Sequence, residues 1–273
     1  MNWNSFVFVI LLTLYSASVF GAQVDTLVVE SKVMDKNITN IVIVPESNTH
    51  TDIKLPVLYL LHGYSGNAFD WINNVPHIKD YADAYNMIVV CPDGGYSSWY
   101  FDSPIDVSSQ YETYITLELI EAVDDKYNTD VSSKARGISG LSMGGHGALY
   151  LAFKHTSLYG AAGSMSGGVD FRPFSDNWEI AKRLGEYNTH QTLWDENTVV
   201  NMIPMVIGKN LKLIIDCGID DFFYMVNQQL HQKLLDNKVE HDYIERPGDH
   251  SWEYWKGSIH YHMLFFYLYF NQA

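Results

Sequence analysis

Apolar residues recur along this chain in two rhythms. Val57, Leu58, Tyr59, Leu60 and Leu61 follow one another without a polar break. A strand with one face in water alternates apolar and polar side chains. A strand covered on both faces does not, so 56–61 predicts a strand inside a parallel sheet. The run 87–90 repeats the pattern, and 136–141, 160–164 and 211–215 predict three further strands. Residues 26–33 and 41–44 alternate or run apolar and predict an opening antiparallel pair, while 242–245 predicts the last strand.

Between these runs the period lengthens. Within 111–127, Ile115, Leu117, Leu119, Ile120 and Val123 recur at helical spacing. Residues 75–85, 145–153, 222–235 and 252–270 also predict helices. Strand alternating with helix is the pattern of a mostly parallel sheet wrapped on both faces, so the expected class is α/β. No internal repeat or low-complexity linker interrupts the chain, and 23–273 is expected to form a single α/β domain. The stretch 168–208 is longer than one crossover needs. Its helical segments at 180–184 and 192–205 predict a small cap excursion over the sheet.

Charge narrows the partners of such a domain. The formal net charge of -15 is spread along the chain. It argues against nucleic acid and anionic membrane surfaces and fits a solvated surface. Residues 6–14 (FVFVILLTL) form an apolar run, followed by small residues up to Gly21 and Ala22. This is expected to be a secretory signal peptide, residues 1–22, cut near Gly21 or Ala22. The run is short for a transmembrane span, so stable membrane insertion is not expected. The two cysteines, Cys91 and Cys217, end apolar runs; they read as buried free thiols rather than a disulfide, and neither has metal-ligand spacing.

Gly140-Leu141-Ser142-Met143-Gly144 fits G-x-S-x-G between a predicted strand and a predicted helix. In that setting the pattern is a nucleophile elbow. A serine on a sharp strand-to-helix turn takes up strained angles, its neighbours must be small, and its hydroxyl stands above the sheet. The amides behind it open a helix, where developing negative charge is favoured. A hydroxyl needs a base to become a nucleophile, and the base needs a carboxylate to fix its tautomer.

In the α/β-hydrolase order the acid follows a late strand and the histidine follows the last one. Asp216, Asp220 and Asp221 all follow 211–215. Asp216 stands at the strand end, and the other two lie in the loop before a helix, where an aspartate also serves as an N-cap. The chain has eleven histidines, and His250 is the one in the loop between the last strand and the last helix. It is the expected base. His146 is the main competitor and is expected to pack beneath or beside the elbow. His62 is expected to hold its loop by hydrogen bonding, and His260 and His262 to be surface or packing residues. The oxyanion donors are expected to be the backbone amides of Met143 and Tyr64.

These residues fall in blocks that resemble the putative-esterase family of α/β-hydrolases. The blocks are Gly140 to Leu149; Leu60-Leu61-His62-Gly63-Tyr64-Ser65-Gly66-Asn67; Pro92-Asp93-Gly94-Gly95 with Ser98-Trp99-Tyr100; Cys217-Gly218-Ile219-Asp220-Asp221-Phe222; and Gly248-Asp249-His250-Ser251-Trp252. The family includes tributyrin, feruloyl and acetylxylan esterases, S-formylglutathione hydrolase and the mycolyltransferases. The resemblance covers most of the chain after about residue 25 and implies an α/β-hydrolase fold. Its Cys-Gly-x-x-Asp pattern implies Asp221 as the acid of a Ser142–His250–Asp221 triad, with no metal and no organic cofactor. Secreted members act on short acyl or feruloyl esters of plant polysaccharide such as xylan, so a small-molecule or carbohydrate ester is the expected substrate. An S-formylglutathione hydrolase-like thioesterase and an acyltransferase to a sugar acceptor are the alternatives. Trp71, Trp99, Tyr100 and Trp252 adjoin the catalytic blocks and are candidates to stack on a sugar or aromatic acyl group; the competing reading is core packing.

Overall fold

A computed structural model describes residues 21–49 and 53–271; most of the expected signal peptide lies outside them. Eight strands form one sheet in the order β1-β2-β4-β3-β5-β6-β7-β8. They are β1 Gln23–Ser31, β2 Lys36–Val44, β3 Val57–Leu61, β4 Ile88–Pro92, β5 Arg136–Gly140, β6 Ala161–Met165, β7 Lys212–Gly218 and β8 Asp242–Arg246. β2 runs antiparallel to β1 and β4, and the remaining pairs are parallel. The α-helices are α1 Asp70–Asn74, α2 Ile78–Ala84, α3 Tyr111–Thr113, α4 Ile120–Lys126, α5 Met143–Lys154, α6 Ala181–Leu184, α7 Gln191–Glu196, α8 Val199–Met202, α9 Tyr224–Asp236 and α10 Trp252–Phe270.

The unbroken apolar runs are explained by two cores, one on each face of the sheet. Val57, Tyr59 and Leu61 of β3 belong to one, Leu58 and Leu60 to the other. In β4, Ile88 and Val90 divide from Val89 and Cys91 in the same way. Each fully buried Val, Leu or Ile contributes about 1.5–3 kcal/mol, so a polar residue anywhere in these runs would cost one core or the other. The edge strand β8 differs: Asp242 and Glu245 are exposed there, and charge on an edge resists pairing with another chain.

Three elements depart from expectation. The helix predicted over 75–85 starts later, as α2 at Ile78, and a short helix that was not expected, α1, precedes it; Pro76 keeps the two apart because it has no N–H to donate and disfavours helical angles at Val75. The helix predicted over 111–127 contains a π-helical segment, Tyr114–Leu119, between α3 and α4. There the Tyr114 hydroxyl donates to Asn40 of β2 at 2.9 Å, across the core. The stretch 168–208 holds three short α-helices, α6 to α8, and three 3₁₀ turns, where two segments were expected; the second breaks at Asn197 and Thr198. Cys91 and Cys217 are buried and unbridged.

Candidate active site

The loops that leave the C-terminal ends of β3, β5, β7 and β8 meet above the sheet, where open α/β folds bind ligands. Ser142 follows β5 and precedes α5, with φ 54° and ψ −117°. A left-handed φ costs a non-glycine residue about 1–3 kcal/mol. Three backbone hydrogen bonds hold it there. The Ser142 N–H donates to the Met165 carbonyl at 2.9 Å, and the Ser142 carbonyl accepts from His146 at 3.0 Å and Gly168 at 3.3 Å. At a net 0.5–1.5 kcal/mol or so each, they offset the strain. The turn also depends on its glycines. A Cβ at Gly140 would lie 2.5 Å from the Gly144 carbonyl oxygen, and one at Gly144 would lie 2.5 Å from that of His62.

The loops after β7 and β8 lie against each other. Ile219 donates to the Arg246 carbonyl and Asp220 to the Gly248 carbonyl, both at 3.0 Å. This brings His250 and Asp221 together over Ser142. His250 Nε2 is 2.8 Å from Ser142 Oγ, and His250 Nδ1 is 2.8 Å from Asp221 Oδ2. The Asp221 side chain is fully buried, and its Oδ1 accepts the Phe223 N–H at 2.8 Å. An ionised carboxylate only accepts, so the His250 proton sits on Nδ1 and the Nε2 lone pair faces the serine. Phe222 lies 4.2 Å over the His250 ring, and Trp255 meets its edge at 4.9 Å. The ring has little freedom to turn.

The other candidate acids are placed elsewhere. Asp216 is buried and held by Ser258 Oγ at 3.1 Å, Arg246 Nη2 at 3.1 Å and the Tyr254 hydroxyl; burial keeps its carboxyl above the ordinary range. Asp220 is exposed. His146 lies fully buried among Trp99, Phe101, Tyr150 and Phe171, and burial pushes it down to about 3, so it stays neutral. His62 holds its loop. It accepts from the Gly94 N–H at 2.8 Å through Nε2, which leaves Nδ1 to donate to the Gly63 carbonyl at 2.7 Å. His262 is buried with Nδ1 2.9 Å from Ser139 Oγ, and His260 is exposed beside His77 and Tyr81.

A cavity of about 170 Å³ opens over Ser142. Gly63, Tyr64 and Leu141 line it near the serine, and Trp178, Phe222, Trp252 and Trp255 give it aromatic walls. Asp70 adds a carboxyl, raised by its partial burial. The Tyr64 and Met143 amides make no backbone hydrogen bond among the described residues. Free donors beside the Ser142 hydroxyl suit a developing oxyanion.

Of the aromatic candidates, Trp252 lines this cavity, whereas Trp71, Trp99 and Tyr100 do not. All three are buried, and their polar groups are engaged internally. Trp71 Nε1 donates to Leu61 at 3.1 Å, Trp99 Nε1 to Trp178 at 3.2 Å, and the Tyr100 hydroxyl to His62 at 3.0 Å. They form the floor beneath the site and offer no face to a ligand. Sequence reasoning missed Trp178, Phe222, Trp255 and Asp70. Phe222 adjoins Asp221, and Trp255 stands one helical turn after Trp252, so both carried a local signal. Trp178 carried none. Among the described residues, no group of three or more His, Cys, Asp or Glu is placed to hold a metal ion, and no helix is long and apolar enough to cross a membrane.

Known proteins resemble this chain in sequence and in fold. The family described as "Putative esterase" matches residues 31–266. An acetyl esterase of Caldicellulosiruptor saccharolyticus is 28% identical, over 84% of this chain and 92% of its own. S-formylglutathione hydrolase of Bos taurus is 26% identical, over 67% of this chain and 70% of its own. A solved ferulic acid esterase superposes with a TM-score of 0.81 at 28% identity, over 92% of this chain and 100% of that one.

Proposed function

The chain belongs to this esterase family, and from that premise we propose that it is a secreted serine carboxylesterase that removes short acyl or feruloyl groups from plant polysaccharide such as xylan. The observation that carries the mechanism is the hydrogen-bonded line from Asp221 through His250 to Ser142, ending in an aromatic-walled cavity. Ser142 Oγ attacks the ester carbonyl as His250 Nε2 takes its proton. The Tyr64 and Met143 amides receive the oxyanion. His250 then gives the proton to the departing alcohol, and water activated by the same nitrogen releases the acyl group and restores Ser142. Asp221 holds the tautomer and stabilises the imidazolium throughout.

The cavity and charge support the substrate class. A small aromatic-walled space suits a short or planar acyl group. Asp70 and the net charge of -15 favour esters of neutral alcohols over a glutathione thioester, which carries carboxylates of its own. The apolar run 6–14 and the small residues after it support export, which would bring the enzyme to a polymer too large to enter a cell.

The test is turnover of p-nitrophenyl acetate, methyl ferulate and acetylated xylan by the purified protein and by Ser142→Ala. Undiminished turnover in the variant would sink the mechanism. Recovery of the protein from the medium of expressing cells, with N-terminal sequencing, checks export and cleavage; a protein that stays inside the cells would count against secretion, and one that begins at Met1 against a cleaved signal peptide.

A further inference from the structure

Two adjoining cavities of about 220 and 340 Å³ lie beside the Ser142 pocket, and nothing in the ester chemistry uses them. They share Lys36, Gly95, Tyr96 and Tyr111, so they form one elongated cleft. Three contacts join this cleft to the active-site cavity. The Tyr96 ring meets the Tyr64 ring at 5.0 Å. Gly66, on the cleft, lies so close to Asp70 that a Cβ there would be 2.2 Å from its Oδ2. Ser97, also on the cleft, donates to Glu179, the neighbour of Trp178, at 2.8 Å.

The cleft is built to hold a polar, uncharged, extended molecule. Its cations Lys36 and Arg183 are matched by Asp93 and Asp106, and Arg183 is paired directly with Asp106. Lys36 Nζ donates to the Ser108 carbonyl and the Tyr111 hydroxyl, each at 3.2 Å, which leaves one of its three donors unused. Ser109 lines the cleft, and its buried Oγ has no hydrogen-bond partner among the described residues. Tyr96 is 59% exposed and presents an aromatic surface at the junction. Donors and acceptors together, with a tyrosine ring, match a neutral sugar chain, whose hydroxyls both donate and accept and whose ring faces stack on aromatics.

We propose that this cleft is a subsite for the oligosaccharide backbone of the substrate, running from Ser142 past Tyr64 and Tyr96 to Lys36 and Ser109. It rests on the esterase reading above and extends it from the reacting ester to the polymer that carries it. The enzyme then recognises several sugar units.

Two measurements test this on the full protein. Calorimetry with unesterified xylotetraose reads the cleft without chemistry. The ratio of kcat/KM for acetylated xylotetraose to that for p-nitrophenyl acetate reads it during turnover. Lys36→Met and Tyr96→Ala are each expected to weaken xylotetraose binding, and to lower that ratio, by about tenfold, the contribution of one charged hydrogen bond or one stacked ring. No binding by the unaltered protein, or an unchanged ratio in both variants, would overturn the subsite while leaving the esterase intact. Failure of the unaltered protein to cleave p-nitrophenyl acetate would strike the esterase reading instead.

Discussion

Replacing Asp221 by asparagine separates geometry from chemistry at this site. Asp221 Oδ1 accepts the Phe223 N–H, and Oδ2 faces His250 Nδ1. An asparagine must keep its carbonyl oxygen on the Phe223 donor, so its NH₂ turns toward His250. That group only donates, and it forces Nδ1 to accept and Nε2 to carry the proton. An Nε2–H then faces Ser142 Oγ across the same 2.8 Å and cannot take the serine proton. The side chain keeps its size and burial, so the fold and the cavity stay as they are. The expected loss is about 10³- to 10⁴-fold in kcat, or about 4–5.5 kcal/mol of transition-state stabilisation, with KM near that of the unaltered enzyme. Steady-state turnover of p-nitrophenyl acetate measures it, and thermal melting confirms that the variant is folded. A folded Asp221→Asn enzyme within about tenfold of full activity would show that this carboxylate does not set the tautomer, and the reasoning would fail.

Three further outcomes follow from other parts of the structure. Burial alone raises the Glu112 carboxyl, but hydrogen bonds from His155, Lys154 and Tyr150 outweigh it and bring it from 4.5 to about 2. Its contribution to stability is therefore present above pH 4.5 and lost as pH falls toward 2. Glu112→Gln should cost about 3 kcal/mol at pH 7 and about half that at pH 3, and an equal cost in urea denaturation at both would refute the linkage. Gly144→Ala places a Cβ 2.5 Å from the His62 carbonyl oxygen and 2.7 Å from that of Leu61. It should destabilise the protein by about 1–3 kcal/mol and abolish turnover, and an active variant with an unchanged melting temperature would contradict the packing of the elbow. Asp70→Asn removes the carboxyl from the cavity and should raise the turnover of an anionic ester relative to a neutral one by about tenfold at low salt, less at high salt. A ratio indifferent to the substitution would show that Asp70 does not select on charge.

The parts of the site that could be read from sequence are those marked by local constraint. Ser142 sits between glycines that the turn requires. His250 occupies a loop whose place in the chain order is dictated by the sheet; the same order picked out the loop after β7, and the resemblance in Cys217 to Asp221 chose Asp221 within it. The strand 57–61 was legible because both of its faces are buried, and α10 because its apolar period runs unbroken from Trp252 to Phe270. The walls of the cavity are different. Trp178 arrives from a stretch of short helices with no motif around it. Trp99 and Tyr100 sit in left-handed conformations, φ 53° and 62°, and lie buried beneath the site. Whether an aromatic faces a ligand or the core is decided by its distant neighbours, which periodicity does not register. The π-helical segment at Tyr114–Leu119 escaped for the same reason, since it is fitted to Asn40 and its surroundings across the core.

The contact between the loops after β7 and β8 also has a consequence in time. The elbow has all its backbone hydrogen-bond partners once the chain reaches Gly168, just after β6, but Asp221 and His250 arrive together, on about the final fifth of the chain. A ribosome working from the N-terminus therefore makes the serine early and its base late. Throughout synthesis, and through any passage of the unfolded chain across a membrane, Ser142 is an ordinary alcohol. In the proposed mechanism it becomes a nucleophile only when β8 joins the sheet edge and α10 docks, so ester cleavage would report that the last segment has folded.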